Sequence, residues 1–458
     1  MLDINFIKEN KQKVLAALNS RKLARTIDLE AFLGDYDQYL ALLQETEALR
    51  GKKNELSRNI SPSPSPSPSP LDANGKAKLI ADATTVKEKL QKLEVDLGEL
   101  KAKIQDVLQY IPNINSEEMP IGRDEEGNEI IKVWNPGTGY YKEKEGQKFA
   151  YTDVSYAPKE VFPHKDHIEL GESLGIIDIE QSGKVSGSRF YYLRDEAVLL
   201  LDAVFLVLKK HLLEMGYHPI ISPALVKERA LFGTSHFPEG RDQVYKIENK
   251  NVEEGNELYL VGSSEPPNFS YFMDRILPKE ELPIKVFARS TCFRSEVGSW
   301  GKDVKGIKRV HQFDKLEMNA VCAEGQDRAI FDEFLEINEW LYQQLELPYR
   351  VVNKCSGDCG YSASYFQYDV EVWRPGVNEY MELGTDTMTT DYQARRLNIR
   401  YKDTDGKTKY VRTVNDTGAS TRPLIALLEN HQNKDGSINV PKILVPYTGF
   451  ETIAPKQN

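Results

Sequence analysis

Phe287 to Met318 read FARSTCFRSEVGSWGKDVKGIKRVHQFDKLEM: a β-patterned run, a loop rich in Gly and Lys, and a second β-patterned run. Two such runs joined by one loop predict a pair of antiparallel strands. Under the period-two rule Arg309, His311, Phe313 and Lys315 share one face, while Val310, Gln312 and Asp314 take the other. Arg294 and Glu296 stand at the end of the first strand, and Arg309, Phe313 and Glu317 lie along the second. On these residues alone a solvated, charged hairpin and a ligand site are both open. The loop lacks the glycine spacing of a Walker phosphate loop, since Gly301-Lys302 is followed by Asp303.

Outward from this pair, residues 164–458 alternate helical and β-patterned runs in no regular βαβ order. That order predicts an α+β domain on a mostly antiparallel sheet. Val198 to Met215 reads as one amphipathic helix, and Gln326 to Leu345 as another, with Ile330, Phe334, Ile337 and Leu341 on one face. Residues 113–163, rich in Gly, Pro and Glu, read as a connecting segment.

Residues 1–112 read as a separate helical arm. Tyr39, Leu42, Thr46, Leu49, Lys53, Leu56 and Ile60 alternate steps of three and four; Leu79, Ala83, Val86, Leu90, Leu93, Leu97, Leu100, Ile104, Val107 and Ile111 do the same. Each series puts a narrow apolar seam on one helix, the pattern of a coiled coil. Between them runs a strict Ser-Pro repeat at 61–70, through which no helix continues, because proline lacks the amide donor and displaces its predecessor. The two helices are therefore expected to fold back as an antiparallel hairpin about 35–45 Å long, at about 1.5 Å rise per residue. Between Asp35 and Ile111 stand 11 Lys or Arg and 12 Asp or Glu, so charge alone does not separate a nucleic-acid-binding arm from a dimerisation rod.

The 458 residues allow two or three domains, and 40% hydrophobic with 28% charged residues is the balance of a globular protein. The start, MLDINFIKEN, carries charges where a secretory signal needs an apolar run, and the longest apolar stretch, Ala197 to Leu208, is broken by Asp202. A soluble cytoplasmic protein with no membrane span is expected. The four cysteines are too scattered for a disulfide framework, and Cys355 and Cys359 have no second ligand pair at zinc spacing. A net charge of −11 confines any nucleic-acid contact to a local surface.

Taken with its neighbours, the 287–318 stretch resembles motif 2 of the class II aminoacyl-tRNA synthetases, in the seryl-tRNA synthetase version with FRSE, a GKD-containing loop and RVHQFDK. MLDI, the two-helix arm, IPN at Ile111 to Asn113, KVSGSRF at Lys184 to Phe190, FGT at Phe232 to Thr234, LPYRVV at Leu347 to Val352, DYQARRLNIRY at Asp391 to Tyr401 and LLEN at Leu427 to Asn430 follow in that family's order. The resemblance spans nearly the whole chain. It implies a catalytic domain with an antiparallel sheet flanked by helices, in a homodimer that activates L-serine with ATP and Mg²⁺ and charges tRNA-Ser; whether selenocysteine tRNA is a further acceptor stays open. Motif 1 corresponds to a helix over Val198–Tyr217 and a strand over Ile220–Leu225 around Pro223.

Carried over by residue, the resemblance implies that Arg294 grips the α-phosphate of ATP and that Ser295, Glu296 and Val310 lie in the nucleotide pocket, with Phe313 under adenine. Arg422, in the motif 3 stretch Val414 to Gln432, is expected on the γ-phosphate side and is catalytic with Arg294; one residue fewer than usual separates it from the preceding Asn. Glu382, Leu383, Gly384 and Thr385 correspond to the Glu and serine-rich run that meets ATP, with Glu382 and Thr385 as Mg²⁺ ligands; Asp386 adds a charge with no assigned place. The serine pocket is expected from Ser263, Ser264 and Glu265, where the family has Thr-x-Glu, with Arg294, Glu317 and Thr417. Two rivals remain: an adenylating ligase with a non-tRNA acceptor, whose relatives lack the long arm, and a non-catalytic paralogue, which would have lost Arg294, Glu317 or Arg422.

Overall fold

The computed structural model describes residues 1–60, 73–141, 149–248, 255–297, 306–360 and 362–455. The Ser-Pro repeat and the Gly301-Lys302-Asp303 loop lie outside them. Two compact units emerge: Ile4–Lys11 with Arg25–Ile111, and Met1–Asp3 with Gln12–Ala24 and Pro112–Asn458.

The smaller unit is built on two long helices, Leu29–Ile60 and Ala73–Leu108, of 32 and 36 residues, hence about 48 and 54 Å long at about 1.5 Å per residue. Both exceed the expected hairpin, because each helix begins before its apolar series, at Leu29 ahead of Tyr39 and at Ala73 ahead of Leu79. Every position of the two series is buried or half-buried except Lys53. Across the seam Arg50 pairs with Glu94 at 2.7 Å, Lys89 with Glu45 at 2.6 Å and Lys103 with Asp35 at 2.8 Å. Such exposed pairs are worth about 0–1 kcal/mol each, so the apolar seam holds the helices and the charges set their register.

The larger unit is organised on a ten-stranded sheet. Its main strands are β1 (Glu129–Asn135), β2 (Ile284–Phe293), β3 (Gln312–Cys322), β4 (Tyr349–Asn353), β5 (Phe366–Arg374), β6 (Glu379–Met388) and β7 (Arg412–Ser420). They lie in the order β1-β4-β5-β6-β7-β3-β2, antiparallel throughout, and His218–Pro219 adds parallel to β2. The 113–163 segment, expected as a connection, instead supplies β1, Gly139–Tyr141 and Phe149–Ala150 to one edge of the sheet. Glu129 to Trp134 pair along β4, and that ladder draws the segment into the sheet.

Strand β5 is buried at all nine positions. Its charged side chains survive because each is paired: Glu371 with Arg350 at 2.6 Å, Asp369 with Lys354 at 3.2 Å. The Asp327–Gln344 helix packs on β6 and β7 with Ile330, Phe334, Ile337 and Leu341 all buried, as its periodicity predicts. The helix expected over Val198–Tyr217 is present as Glu196–Glu214, but Ile220–Leu225 does not form the expected strand: pairing ends with the Ile220 amide on the Phe287 carbonyl at 2.9 Å, and a separate strand begins at Leu225.

A candidate active site on one face of the sheet

Strands β2 and β3 form the predicted antiparallel pair, from Ile284 opposite Val321 to Phe293 opposite Gln312. The second strand starts at Gln312 rather than Arg309. The His311 amide turns out of the ladder to the Arg189 carbonyl at 3.0 Å, so Arg309 lies before the strand and approaches Glu296 at 3.7 Å. Phe313, Lys315 and Glu317 keep the shared face that alternation demands.

Two irregularities aim further side chains at this face. In β6 the register shifts between Val370 and Glu371, so that Leu383 is inserted between paired Glu382 and Gly384. In β7 a shift opposite Leu316 and Glu317 inserts Gly418. Each extra residue reverses the alternation, the way bulges re-aim side chains beside binding sites. Glu382 thereby joins Thr385 and Thr387, and Ser420, beyond the Gly418 bulge, joins Thr417 and Asn415 on the open face.

Two adjoining cavities result, of about 280 and 360 Å³. Arg294, Lys315, Glu382, Thr417 and His236 line both. The first is completed by Glu296, Val310, Phe313, Leu383 and Arg422, and the second by Ser263, Glu265, Glu317, Thr385, Gln393 and Asn415 among others. The Arg294 guanidinium lies 5.4 Å from the centre of the Phe313 ring, and its Nε–H donates to the Gly262 carbonyl at 3.2 Å. Arg422 donates to the Glu382 carbonyl at 3.0 Å, to its carboxylate at 3.2 Å and to the Lys308 carbonyl at 3.3 Å.

The second cavity is walled by buried charge. Lys315 Nζ meets Glu317 at 2.5 Å and the Ser263 hydroxyl at 3.3 Å. Glu265 accepts from Gln393 at 2.7 Å and from Asn415 at 3.2 Å. Burial, reinforced by the charge of Glu317, pushes the Glu265 carboxyl up to about 8. Burial also raises Glu317, against the pull of Lys315 and Arg294. Burial acts on Glu382 in the same sense, but Arg422, Lys354 and Arg294 together hold its carboxyl below the ordinary value. His236 is pulled down to about 3 by burial and then by Arg294 and Lys315, so its imidazole is neutral.

Three expected site residues stand outside both cavities. Ser264 is buried and donates to the Ala288 carbonyl at 3.3 Å; Ser295 donates to the Asp242 carbonyl at 2.5 Å. The Leu383 bulge turns Gly384 to the opposite face, where a Cβ would stand 2.7 Å from Asn338 Nδ2. Lys315, His236, Gln393 and Asn415 were not expected there. Lys315 had a signal, its position two residues before Glu317, while the others arrive from distant segments.

Asp386 lies on the side of Gly384, fully buried opposite Asp416, which accepts from Asn338 at 2.7 Å. Burial and then Asp416 lift the Asp386 carboxyl well above its ordinary range. A carboxyl so raised contributes stability that is full below its unfolded value and lost as pH rises through the folded one. Asp386→Asn is therefore expected to lose less thermal stability than the parent between pH 5 and 8, read by calorimetry; an equal loss contradicts the buried-carboxyl account.

Among the described residues no group of three or more His, Cys, Asp or Glu is arranged to hold a metal. Nor is any described helix long and apolar enough to cross a membrane. Residues 245–431 match the tRNA synthetase class II core domain (G, H, P, S and T), and residues 1–115 match the seryl-tRNA synthetase N-terminal domain. The serine–tRNA ligase of Rubrobacter xylanophilus is 37% identical over 457 residues, covering 99% of both chains; that of Treponema denticola is 38% identical over 461 residues, covering 99% of this chain and 100% of the other. The crystal structure of seryl-tRNA synthetase from Pyrococcus horikoshii complexed with ATP superposes with a TM-score of 0.86 at 34% identity, covering 100% of each chain. Likeness of this extent, end to end and in both arm and core, means that the chain belongs to the seryl-tRNA synthetase family.

Proposed function

We propose that the protein is a serine–tRNA ligase: it activates L-serine with ATP and transfers the seryl group to tRNA-Ser. The observation that carries this reading is the pair of cavities with Arg294 in the shared wall, one faced by an aromatic ring and two arginines, the other lined by buried carboxylates. Adenine stacks on Phe313 in the first, beside Val310. Arg294 grips the α-phosphate, Glu296 helps hold the nucleotide, and Arg422 serves the γ-phosphate side. A planar, always charged guanidinium suits both places, because it binds phosphate with two donors.

Serine occupies the second cavity, touching Ser263 and Glu265, with its hydroxyl read at Glu317. Its carboxylate attacks the α-phosphorus in line, giving seryl-adenylate and pyrophosphate. A ribose hydroxyl of the tRNA 3′ end then attacks the activated carbonyl and AMP leaves. No covalent enzyme intermediate is needed, since positioning and charge neutralisation supply the catalysis. Glu382, held ionised, and the Thr385 hydroxyl offer hard oxygen donors that fit Mg²⁺, an ion usually held by one or two carboxylates plus substrate phosphates. Bound there, Mg²⁺ neutralises phosphate charge.

The protein acts as a cytoplasmic homodimer in this reading. Support for the dimer comes from Val198, Leu199, Leu206 and Leu213, which leave an apolar stripe of the Glu196–Glu214 helix exposed, and from Ile221 at 99% exposure.

Alanine is refused because it leaves buried polar groups unpaired; threonine is refused by volume. Glu317→Ala is thus expected to lower serine-dependent pyrophosphate exchange about 10- to 200-fold, the value of a lost hydrogen bond to a charged group at about 1.5–3 kcal/mol. Normal exchange by that variant overturns the pocket assignment. Ser263→Thr adds the methyl that the family's usual Thr carries and is expected to sharpen the serine/threonine ratio by about 1 kcal/mol, or about fivefold. An unchanged ratio places threonine rejection elsewhere.

A further inference from the structure

His167 lies outside the site described above, yet its ring touches the backbone that enters β3. It is buried, and its Nε2 stands 3.3 Å from the Ile307 amide, which donates to it. Ile307 lines the first cavity. On the other side of the ring, Nδ1 stands 3.1 Å from the Glu429 carboxylate, which also accepts from the His167 amide at 3.2 Å. Arg374 secures that carboxylate from a third direction at 2.6 Å. Because the Ile307 amide is a donor, Nε2 must accept, so the ring proton sits on Nδ1 and is given to Glu429. Both nitrogens are used in only one orientation of the ring.

The contact is close. Gly306 has φ +89°, and a Cβ there would stand 2.5 Å from His167 Nε2, so only glycine lets the imidazole reach the next amide. One residue further on, the Lys308 carbonyl accepts from Arg422. Arg422 and Glu429 belong to the same nine-residue helix, Arg422–Asn430. That helix therefore holds the 306–308 backbone twice, directly through Arg422 and through His167 from Glu429.

We infer that His167 is a positioning residue for the nucleotide, a neutral bridge that sets the Ile307–Lys308 wall of the ATP cavity in register with the helix carrying Arg422. This rests on the first cavity being the ATP site. If the bridge loosens, the wall and Arg422 no longer present one rigid surface to ATP, while the serine pocket, walled by other residues, is untouched.

Two substitutions separate the halves of the bridge. His167→Asn places an amide donor near Nδ1 and keeps the bond to Glu429 but leaves the Ile307 amide without its acceptor. His167→Gln carries an amide oxygen to the place of Nε2 and restores that acceptor. In steady-state pyrophosphate exchange by the full-length protein, His167→Asn is expected to raise KM for ATP about tenfold with KM for serine unchanged, and His167→Gln to return KM for ATP to within about threefold of the parent. An unchanged KM for ATP in His167→Asn, an equal rise in both variants, or a parallel rise in KM for serine with a fallen thermal midpoint overturns the inference. Arg294→Lys measured alongside keeps two failures apart. If that variant stays active, the reading of the ATP site fails; if it is inactive while His167→Asn binds ATP normally, only the bridge fails.

Discussion

Arg294→Lys is expected to lower serine-dependent pyrophosphate exchange between about 100- and 1,000-fold, although the side chain keeps its positive charge. Arg294 lines both cavities, with its Nε–H on the Gly262 carbonyl and its guanidinium facing Phe313 at 5.4 Å. A lysine has no Nε donor to hold the stem on Gly262, and one ammonium in place of a planar fork. Losing two charge-assisted hydrogen bonds at the α-phosphorus removes about 3–4 kcal/mol of transition-state stabilisation. The loss belongs mainly to kcat, since the phosphorus gains its extra charge only as the carboxylate attacks. Exchange within about threefold of the parent would mean that Arg294 does not hold the reacting phosphate.

Removing Asp37 to Gln109 and joining the ends with a short linker is expected to leave exchange largely intact while charging of tRNA-Ser falls about 100-fold or more, as for the loss of several phosphate contacts. The segment lies within the compact unit formed by Ile4–Lys11 and Arg25–Ile111, whose helices are held to each other by their own seam and ion pairs. Every residue lining the two cavities lies at or beyond Thr234. The deletion therefore removes no group from the site. Parallel exchange and charging assays on the shortened protein check the division of labour, and full charging by it rules the arm out as the tRNA grip.

The hairpin was legible because its signal is local and repeated: seam positions three and four apart are buried whatever else the chain does, and only Lys53 stays exposed, its ammonium being too costly to bury unpaired. The β2–β3 pair was legible for the same reason, and with it Phe313, Lys315 and Glu317 on one face. Legibility ended where long-range contacts decide. The 113–163 segment has the composition of a linker, yet β4 gives it a strand to pair with. Arg309 has the right parity, but the Arg189 carbonyl draws the chain out of the ladder at His311. Gly384 and Glu382 share a parity in the sequence and part company in the structure, because the Leu383 bulge lies between them. Ser264 and Ser295 sit beside site residues and spend their hydroxyls on backbone carbonyls instead. His236 carried no motif of its own, Gln393 stood within DYQARRLNIRY with no site role attached, and only the fold brings them to the pocket.

ATP–pyrophosphate exchange measured with each of the twenty amino acids in turn, followed by charging of tRNA-Ser with the amino acid that supports it, tests the assignment most directly. The account predicts exchange with serine alone at full rate, threonine and alanine far below it, and serine delivered to tRNA-Ser. Exchange driven best by another amino acid, or seryl-adenylate formed without charging of tRNA-Ser, would contradict it.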